Sequence, residues 1–231
     1  VANYNRAFRA PALEELYNYG PHVGNMAFEI GNSSLKRESG DGLDVSLRHD
    51  ADRLYGEWNF FYYRLGDFVY MAPNGEQHHG LQVVNFFQEG VRFLGSEVRM
   101  DLRLHPVLWL NTGLDTVRAH IVEKDVPLPR IPPLRARLGF DFRYRGFSVR
   151  PELLLAGAQN RLFYHETRTS GYGLANLNVS YTIPGRHATQ ILSLSSFNLS
   201  DRLYRNHCSF LKDLAPEMGR GLRLNYSIHF Y

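Results

Sequence analysis

The sequence predicts an all-β protein: an antiparallel transmembrane β-barrel, with these 231 residues supplying the C-terminal portion, about ten strands, of a larger barrel. Three observations carry that expectation. The stretch Gly219 to Tyr231 alternates without a break. Leu222, Leu224, Tyr226, Ile228 and Phe230 fall on one face, and Gly221, Arg223, Asn225, Ser227 and His229 on the other, which is the period of a strand with one apolar and one polar side. The same alternation recurs along the chain. The breaks between alternating runs are themselves in turn long and short, as in barrels that join strands by short periplasmic turns and long external loops.

Taken in order, Val1 to Phe8 is the first strand. Arg9 to Ser39 is a long polar segment, in which Ala10 to Tyr17 forms a helical turn with Pro11 near its start. The rest of that segment is Gly- and Asn-rich loop. Gly42 to Arg48 is a strand with Leu43, Val45 and Leu47 on one face, broken at Asp50-Ala51-Asp52. Leu54 to Tyr70 is a long strand with Leu54, Trp58, Phe60 and Tyr62 on one face, and Ala72 to Gly80 is a turn-forming polar loop. Leu81 to Leu104 is one very long strand, or two joined by a bulge near Glu89-Gly90. Its second half sets Leu94, Val98, Met100, Leu102 and Leu104 against Glu97, Arg99, Asp101 and Arg103. Four charges in line suit an aqueous lumen rather than a packed core.

His105-Pro106 is a tight break, and Val107 to Val122 returns with Leu108, Leu110 and Leu114 outward. Glu123 to Pro133 is a Pro-rich loop. Leu134 to Tyr144 sets Leu134, Ala136, Leu138, Phe140, Phe142 and Tyr144 against Arg135, Arg137, Gly139, Asp141 and Arg143. Arg145-Gly146 is a hairpin turn. Phe147 to Ala158 is a strand weakened by Pro151, and Arg161 to Gly171 is a polar loop. Tyr172 to Ile183 and Thr189 to Leu199 are strands about the turn Pro184 to His187. Ser200 to Met218 is a loop before the final strand.

The totals agree with a barrel and exclude other classes. No run approaches the ~18 apolar residues of a spanning helix, and the mean hydropathy of −0.34 excludes a helical membrane protein. Alternating strands average out to such a value. A net charge of +3, with scattered basic residues, argues against nucleic acid as a partner. The single Cys208 excludes an intrachain disulfide. No signal peptide is present and Val1 lies inside an apparent strand, so the expectation is that the N-terminal part of a longer protein precedes it.

Several segments resemble those of TonB-dependent outer-membrane receptors. Phe8-Arg9-Ala10-Pro11 followed by Leu13-Glu14-Glu15-Leu16-Tyr17 resembles their FRAP…EEL segment. Gly31-Asn32-Ser33-Ser34-Leu35-Lys36-Arg37-Glu38 is similar to their GNPxLKxE segment, with Ser33 where Pro is usual. Phe93 to Glu97 resembles a G-x-E strand opening, and Phe197-Asn198-Leu199-Ser200-Asp201-Arg202-Leu203-Tyr204 resembles NLxDxxY. Gly219 to Phe230 resembles the closing strand. The resemblance covers essentially the whole chain in the family's order. It implies a barrel of roughly 22 strands around an N-terminal plug that contacts the TonB complex. It also implies a bacterial outer-membrane location with a periplasmic C-terminus. Plug and early strands would lie upstream of Val1.

The cargo implied is a metal or metal chelate (zinc, haem or a ferric siderophore), with no intrinsic cofactor. In haem-receptor relatives a His between the FRAP and NPxL segments ligates iron, and His22 holds that place. Asn206-His207 through Gly219-Arg220 resembles zinc-uptake relatives. Imidazole suits both metals. The remaining candidates are His78 and His79 with Glu76, Glu123 with Asp125, and His165 with Glu166. Bare zinc needs three or four such groups to converge. The lumen-facing charges expected are Glu97, Arg99, Asp101, Arg103, Arg135, Arg137, Asp141 and Arg223. Their arginines either steer anionic chelates by their field or pair with neighbouring acids and the plug. No nucleophile–base pair, phosphate loop or HExxH is present, so no enzyme is expected. The alternatives are a passive or structural barrel with binding loops, and a soluble carbohydrate-binding β-sandwich.

Overall fold

The computed structural model describes residues 1–231. Its elements are β1 (Ala2–Arg9), α1 (Leu13–Tyr17), β2 (Tyr19–His22), β3 (Ala27–Ile30), β4 (Glu38–Ala51), β5 (Leu54–His78), β6 (Leu81–His105), β7 (Leu108–Ile121), β8 (Val126–Pro127), β9 (Arg135–Tyr144), β10 (Phe147–Ala156), β11 (Tyr172–Pro184), β12 (Ala188–Phe197) and β13 (Gly221–Phe230). Ten of the strands form one continuous curved wall in the order β1-β4-β5-β6-β7-β9-β10-β11-β12-β13, each antiparallel to the next. A sandwich requires a second sheet packed on the first. Here there is a single sheet, so the soluble-sandwich alternative does not describe the chain.

A wall one layer thick buries little, and only 29 of the 231 residues are buried. One side is apolar and bare. In register, Leu47, Trp58, Val98, Leu114, Ala136 and Leu155 lie directly opposite one another across successive strands. Phe147, Tyr181, Leu192 and Tyr226 form a second such row near the short turns. A contiguous exposed apolar face with an aromatic border is what lipid solvates. The other side carries Glu57, Arg99, Arg137 and their neighbours, as the alternation dictates.

The connections β4–β5, β6–β7, β9–β10 and β11–β12 are short and all fall at one end of the wall. Arg145 and Gly146 both have positive φ (47° and 80°), the conformation of a two-residue type I′ hairpin. Pro151 is tolerated because β10 keeps its register on both sides while Arg150 and Pro151 drop out of the ladder toward β9.

The loop end differs from the sequence expectation in three places. Ala72 to Gly80 is not a loop: β5 runs on to His78, pairs with β6 and turns on His79-Gly80 alone, both at positive φ (49° and 81°). The polar composition there marks an arm standing clear of the apolar band, where neither face needs to alternate. The expected irregularity at Glu89-Gly90 is present, but the extra residue is on the partner. Gly66 and Asp67 oppose Gly90, with Asp67 at φ 54°. The segment between β1 and β4 is also more ordered than a loop. β2 and β3 form a hairpin, and β3 runs parallel to β6, Ala27 to Ile30 beside Gln82 to Asn85. To reach that edge the segment crosses the whole β5–β6 arm, and it is called the strap below. The largest buried cluster, Tyr70, Ala72, Val91, Ala119, Ile121, Leu128 and Phe163, lies in this loop layer.

Candidate functional site: lumen groove and loop layer

The polar side of the wall forms a groove of about 640 Å³. Glu97, Arg99, Asp101, Arg135, Arg137 and Asp141 all line it, whereas Arg103 and Arg223 do not. Arg103 instead lies 5.8 Å from the Trp109 ring centre. The charges are largely paired: Arg99 with Asp101 (2.9 Å), Arg135 with Asp115 (2.8 Å), Arg137 with Glu152 (3.4 Å), and Asp141 with both Arg143 (2.5 Å) and Arg150 (3.2 Å). Asn111 also donates to Asp101 at 2.7 Å. Pairing of this density cancels most of the field an anion would feel at a distance. Asp115, Glu152 and Arg150 were not among the expected lumen charges, and Arg143 was placed only on the polar face of its strand. Asp115 follows from register, standing opposite both Glu97 and Arg135.

The strap is held by residues of the FRAP…EEL and GNPxLKxE-like segments. The Arg9 guanidinium binds Glu38 through Nε and one terminal nitrogen (2.6 and 2.8 Å), and Glu15 through both terminal nitrogens (3.0 Å each). This is a double fork only arginine can make. Glu15 also accepts from Ala12 N at 2.7 Å, capping α1, and Glu38 accepts from Val69 N at 2.5 Å, tying the clamp to β5. Farther along, Asn32 donates to Phe86 O (3.3 Å), and Lys36 N donates to the Gln88 side chain (2.7 Å).

His22 ends β2 near the far end of this strap. Its Nδ1 lies 2.8 Å from Glu29, a buried carboxylate that also accepts from Asn18 and Asn25 at 2.5 Å each. An acceptor at Nδ1 places the proton there and leaves the Nε2 lone pair free, on a side chain 59% exposed. Glu29, Asn18 and Asn25 escaped the sequence reading, which found no period in this stretch. Phe28, the neighbour of Glu29, packs against Tyr19 (5.2 Å) and the His78 ring (4.2 Å). His78 in turn meets His79 edge-on at 4.4 Å. The His165 ring lies over Gly75, 3.5 Å from where a Cβ would stand.

His207 lies elsewhere and is fully buried. Its Nδ1 shares a 2.8 Å hydrogen bond with Thr169 Oγ1, and its Nε2 has no partner, the nearest carboxylate being Glu166 at 3.9 Å. Burial lowers its pKa, and Glu166 opposes that shift only in part. Buried Lys212 donates to Thr167 O at 2.7 Å and also contacts Thr167 Oγ1. Arg130 stacks 3.9 Å from the Phe210 ring centre and donates to Met71 O. These contacts fasten the loops after β7, β10 and β12 into one layer. Across the chain no three His, Cys, Asp or Glu side chains stand close enough together to hold a metal ion, so the five candidate histidines do not converge.

A single wall, apolar outside and polar inside, with tight turns at one end and a built loop layer at the other, is part of an outer-membrane type of β-barrel. Residues 1–200 match the TonB dependent receptor-like, beta-barrel family, and the chain belongs to it. Among solved structures the chain is similar to the copper transporter OprC, at 22% identity and a TM-score of 0.83 over 97% of this chain and 36% of that one. It is similar to the ferric enterobactin receptor PfeA of Pseudomonas aeruginosa (a G324V mutant), at 17% identity and a TM-score of 0.68, covering 98% and 37%. It is also similar to the FrpB iron transporter of Neisseria meningitidis, at 14% identity and a TM-score of 0.70, covering 97% and 36%. The chain thus spans a little over a third of the length of these proteins, which are transporters and receptors rather than enzymes.

Proposed function

We propose that this chain is the C-terminal portion of the barrel of a TonB-dependent outer-membrane receptor that takes up a metal already held in a chelate. Plug and TonB contact would precede Val1, and the end with four tight turns, with the C-terminus, would face the periplasm. One observation carries the choice of cargo. The histidines provide no three-ligand set of the kind a bare zinc ion needs, yet His22 offers one free Nε2 on an imidazole oriented by a buried carboxylate. Carboxylate-oriented imidazole is a common way of fixing a metal ligand, and a chelate that brings its own donors, such as haem, requires only one. Ferric siderophores, whose metal is fully enclosed, stand second.

The test uses the intact receptor and its His22→Ala variant, titrated separately with haem and with zinc chloride. The expected result is at least a tenfold loss of haem affinity, since losing even an outer-shell partner of a ligand costs about tenfold or more, with little change for zinc. Unchanged haem binding by the variant would remove His22 as the ligand and leave ferric siderophores as the chelate.

A further inference from the structure

The arginines of the groove are largely paired, but those on the outer face near the loop end are not. Arg64 stands directly opposite Arg92, and Arg92 directly opposite His120. Their side is that of Trp58, Tyr62, Leu94, Val98 and Leu114, the bare apolar face. Arg118 is one rung lower, opposite Leu94. Arg161, from the loop after β10, shares a small cavity with Arg118 and His120. None of these four arginines makes an ion pair. The acids on this side are engaged or distant. Asp41, opposite Arg64, is held by Tyr4 (2.6 Å) and Arg6 (3.8 Å). Asp125 lies 4.0 Å from His120.

Like charges directly opposite on neighbouring strands repel, so this row does not serve the stability of the wall by itself. Its height is informative. Leu54 begins the outward apolar run, and ten residues of about 3.3 Å each, tilted by about 40°, place Arg64 roughly 25 Å above it. That is the height of an apolar band, so the row falls where hydrocarbon gives way to headgroups. The paired Tyr62–Leu94 rung just below carries the aromatic border.

Resting on the outer-membrane reading above, we infer that Arg64, Arg92, Arg118, His120 and Arg161 form a girdle that binds phosphate-bearing lipid headgroups of the outer leaflet. Guanidinium groups bind phosphate in forked pairs, and phosphates seated between Arg64 and Arg92 would convert their repulsion into attraction. Long arginine stems lie along the apolar surface while their heads reach the interface.

The experiment titrates the intact receptor, in an uncharged detergent, with a diphosphorylated glucosamine-disaccharide lipid, with phosphatidylcholine and with inorganic phosphate. Complexes are counted by native mass spectrometry. The diphosphorylated lipid is expected to bind, and to bind about tenfold or more weakly to the Arg64→Gln/Arg92→Gln/Arg118→Gln variant and at high salt. Arg186→Gln, in the β11–β12 turn, should have no effect. Equal binding of the two lipids by the unmodified receptor, equal binding by the triple variant, or displacement of the lipid by equimolar inorganic phosphate would each overturn the inference. Should the triple variant fail to fold, the lipid comparison on the unmodified receptor still decides. Heat-modifiable migration on the same samples separates the two readings. A folded barrel without lipid selectivity overturns the girdle alone, and a chain that never inserts overturns the outer-membrane reading.

Discussion

Gly31→Ala should loosen the strap without unfolding the wall. Gly31 N donates to Asn18 O at 2.7 Å, and Asn32 N donates to Glu15 O at 2.8 Å, which joins β3 to the end of α1. A Cβ at position 31 would stand 2.6 Å from Tyr17 N and 2.7 Å from both Asn18 N and Leu16 C. All three are backbone atoms, so no rotamer change relieves the clash. Carbon contacts are optimal at about 3.5–4.0 Å, so the two backbones must part by roughly 1 Å, and both hydrogen bonds stretch beyond use. Each contributes ~0.5–1.5 kcal/mol, and overpacking a site that cannot yield costs a further ~1–3 kcal/mol. The sum is roughly 2–6 kcal/mol, spent on local opening of residues 13–32 because the wall keeps its own ladders. Hydrogen exchange followed by mass spectrometry on the intact receptor should show about 30-fold or greater loss of protection in 13–32. β9 to β13 should be unchanged, and haem affinity should fall with the displaced His22. Unaltered exchange in 13–32, or equal loss across the wall, would refute the reasoning.

Two further outcomes follow from the groove and the loop layer. Asp141→Asn removes the charge shared by Arg143 and Arg150 at a buried position. It should lower the stability of the folded barrel by about 1–3 kcal/mol, the range for hydrogen bonds to charged groups, read as a shifted midpoint in urea; a midpoint unmoved would show the pairs to be idle. His207 is buried and its folded-state pKa is lowered by that burial, so the unfolded loops bind the proton more readily than the folded ones. The stabilisation is therefore complete above the unfolded value of ~6.5 and declines as pH falls through it toward the lower folded value. Exchange in 157–171 and 198–220, corrected for intrinsic rates, should rise as pH falls below about 6.5. Glu166, Lys212, Asp213 and Arg130, the charged groups about the ring, modulate the extent. His207→Gln should flatten the profile, and a profile identical in both proteins would assign the effect elsewhere.

The wall was legible because lipid on one side and water on the other impose a period of two. Leu134 to Tyr144 shows this well: every alternate residue is apolar, and the strand lies where the alternation puts it. The same rule explains the failures. Above the apolar band neither face of β5 nor of β6 needs to alternate, so Ala72 to His78 reads as loop in composition, yet Ala72, Pro73, Gln77 and His78 stay in the ladder with β6 about a bulge at 74–76. β2 and β3 are four residues each and pair across a chain crossing, which no local period announces. Among the candidate histidines, His22 was found because it stands between two quoted motifs. Its support, Glu29, was not found, since a lone Glu between Phe28 and Ile30 carries no signal of being buried. His207 was a candidate metal ligand in the loop Ser200 to Met218, and the ordered layer after β12 encloses it.

The motifs themselves acquire a physical reason. Arg9 and Glu15 of one segment and Glu38 of another are joined by one guanidinium. Gly31 is required by a backbone approach that admits no Cβ, and Asn32 both donates to Phe86 O and accepts from Ser34 N. Ser33, where the related segments carry Pro, makes none of these contacts, which is why its departure leaves the strap intact. Every one of these fixings lies at the base or the middle of the strap. Beyond Asn25 the tip is held by four rungs to β3, by four rungs from β3 to β6, and by Glu29. The Arg9 clamp thus fixes the base of the strap to the wall, while its His22 end rests on the few short rungs of β2 and β3, so opening there breaks fewer hydrogen bonds than opening the wall.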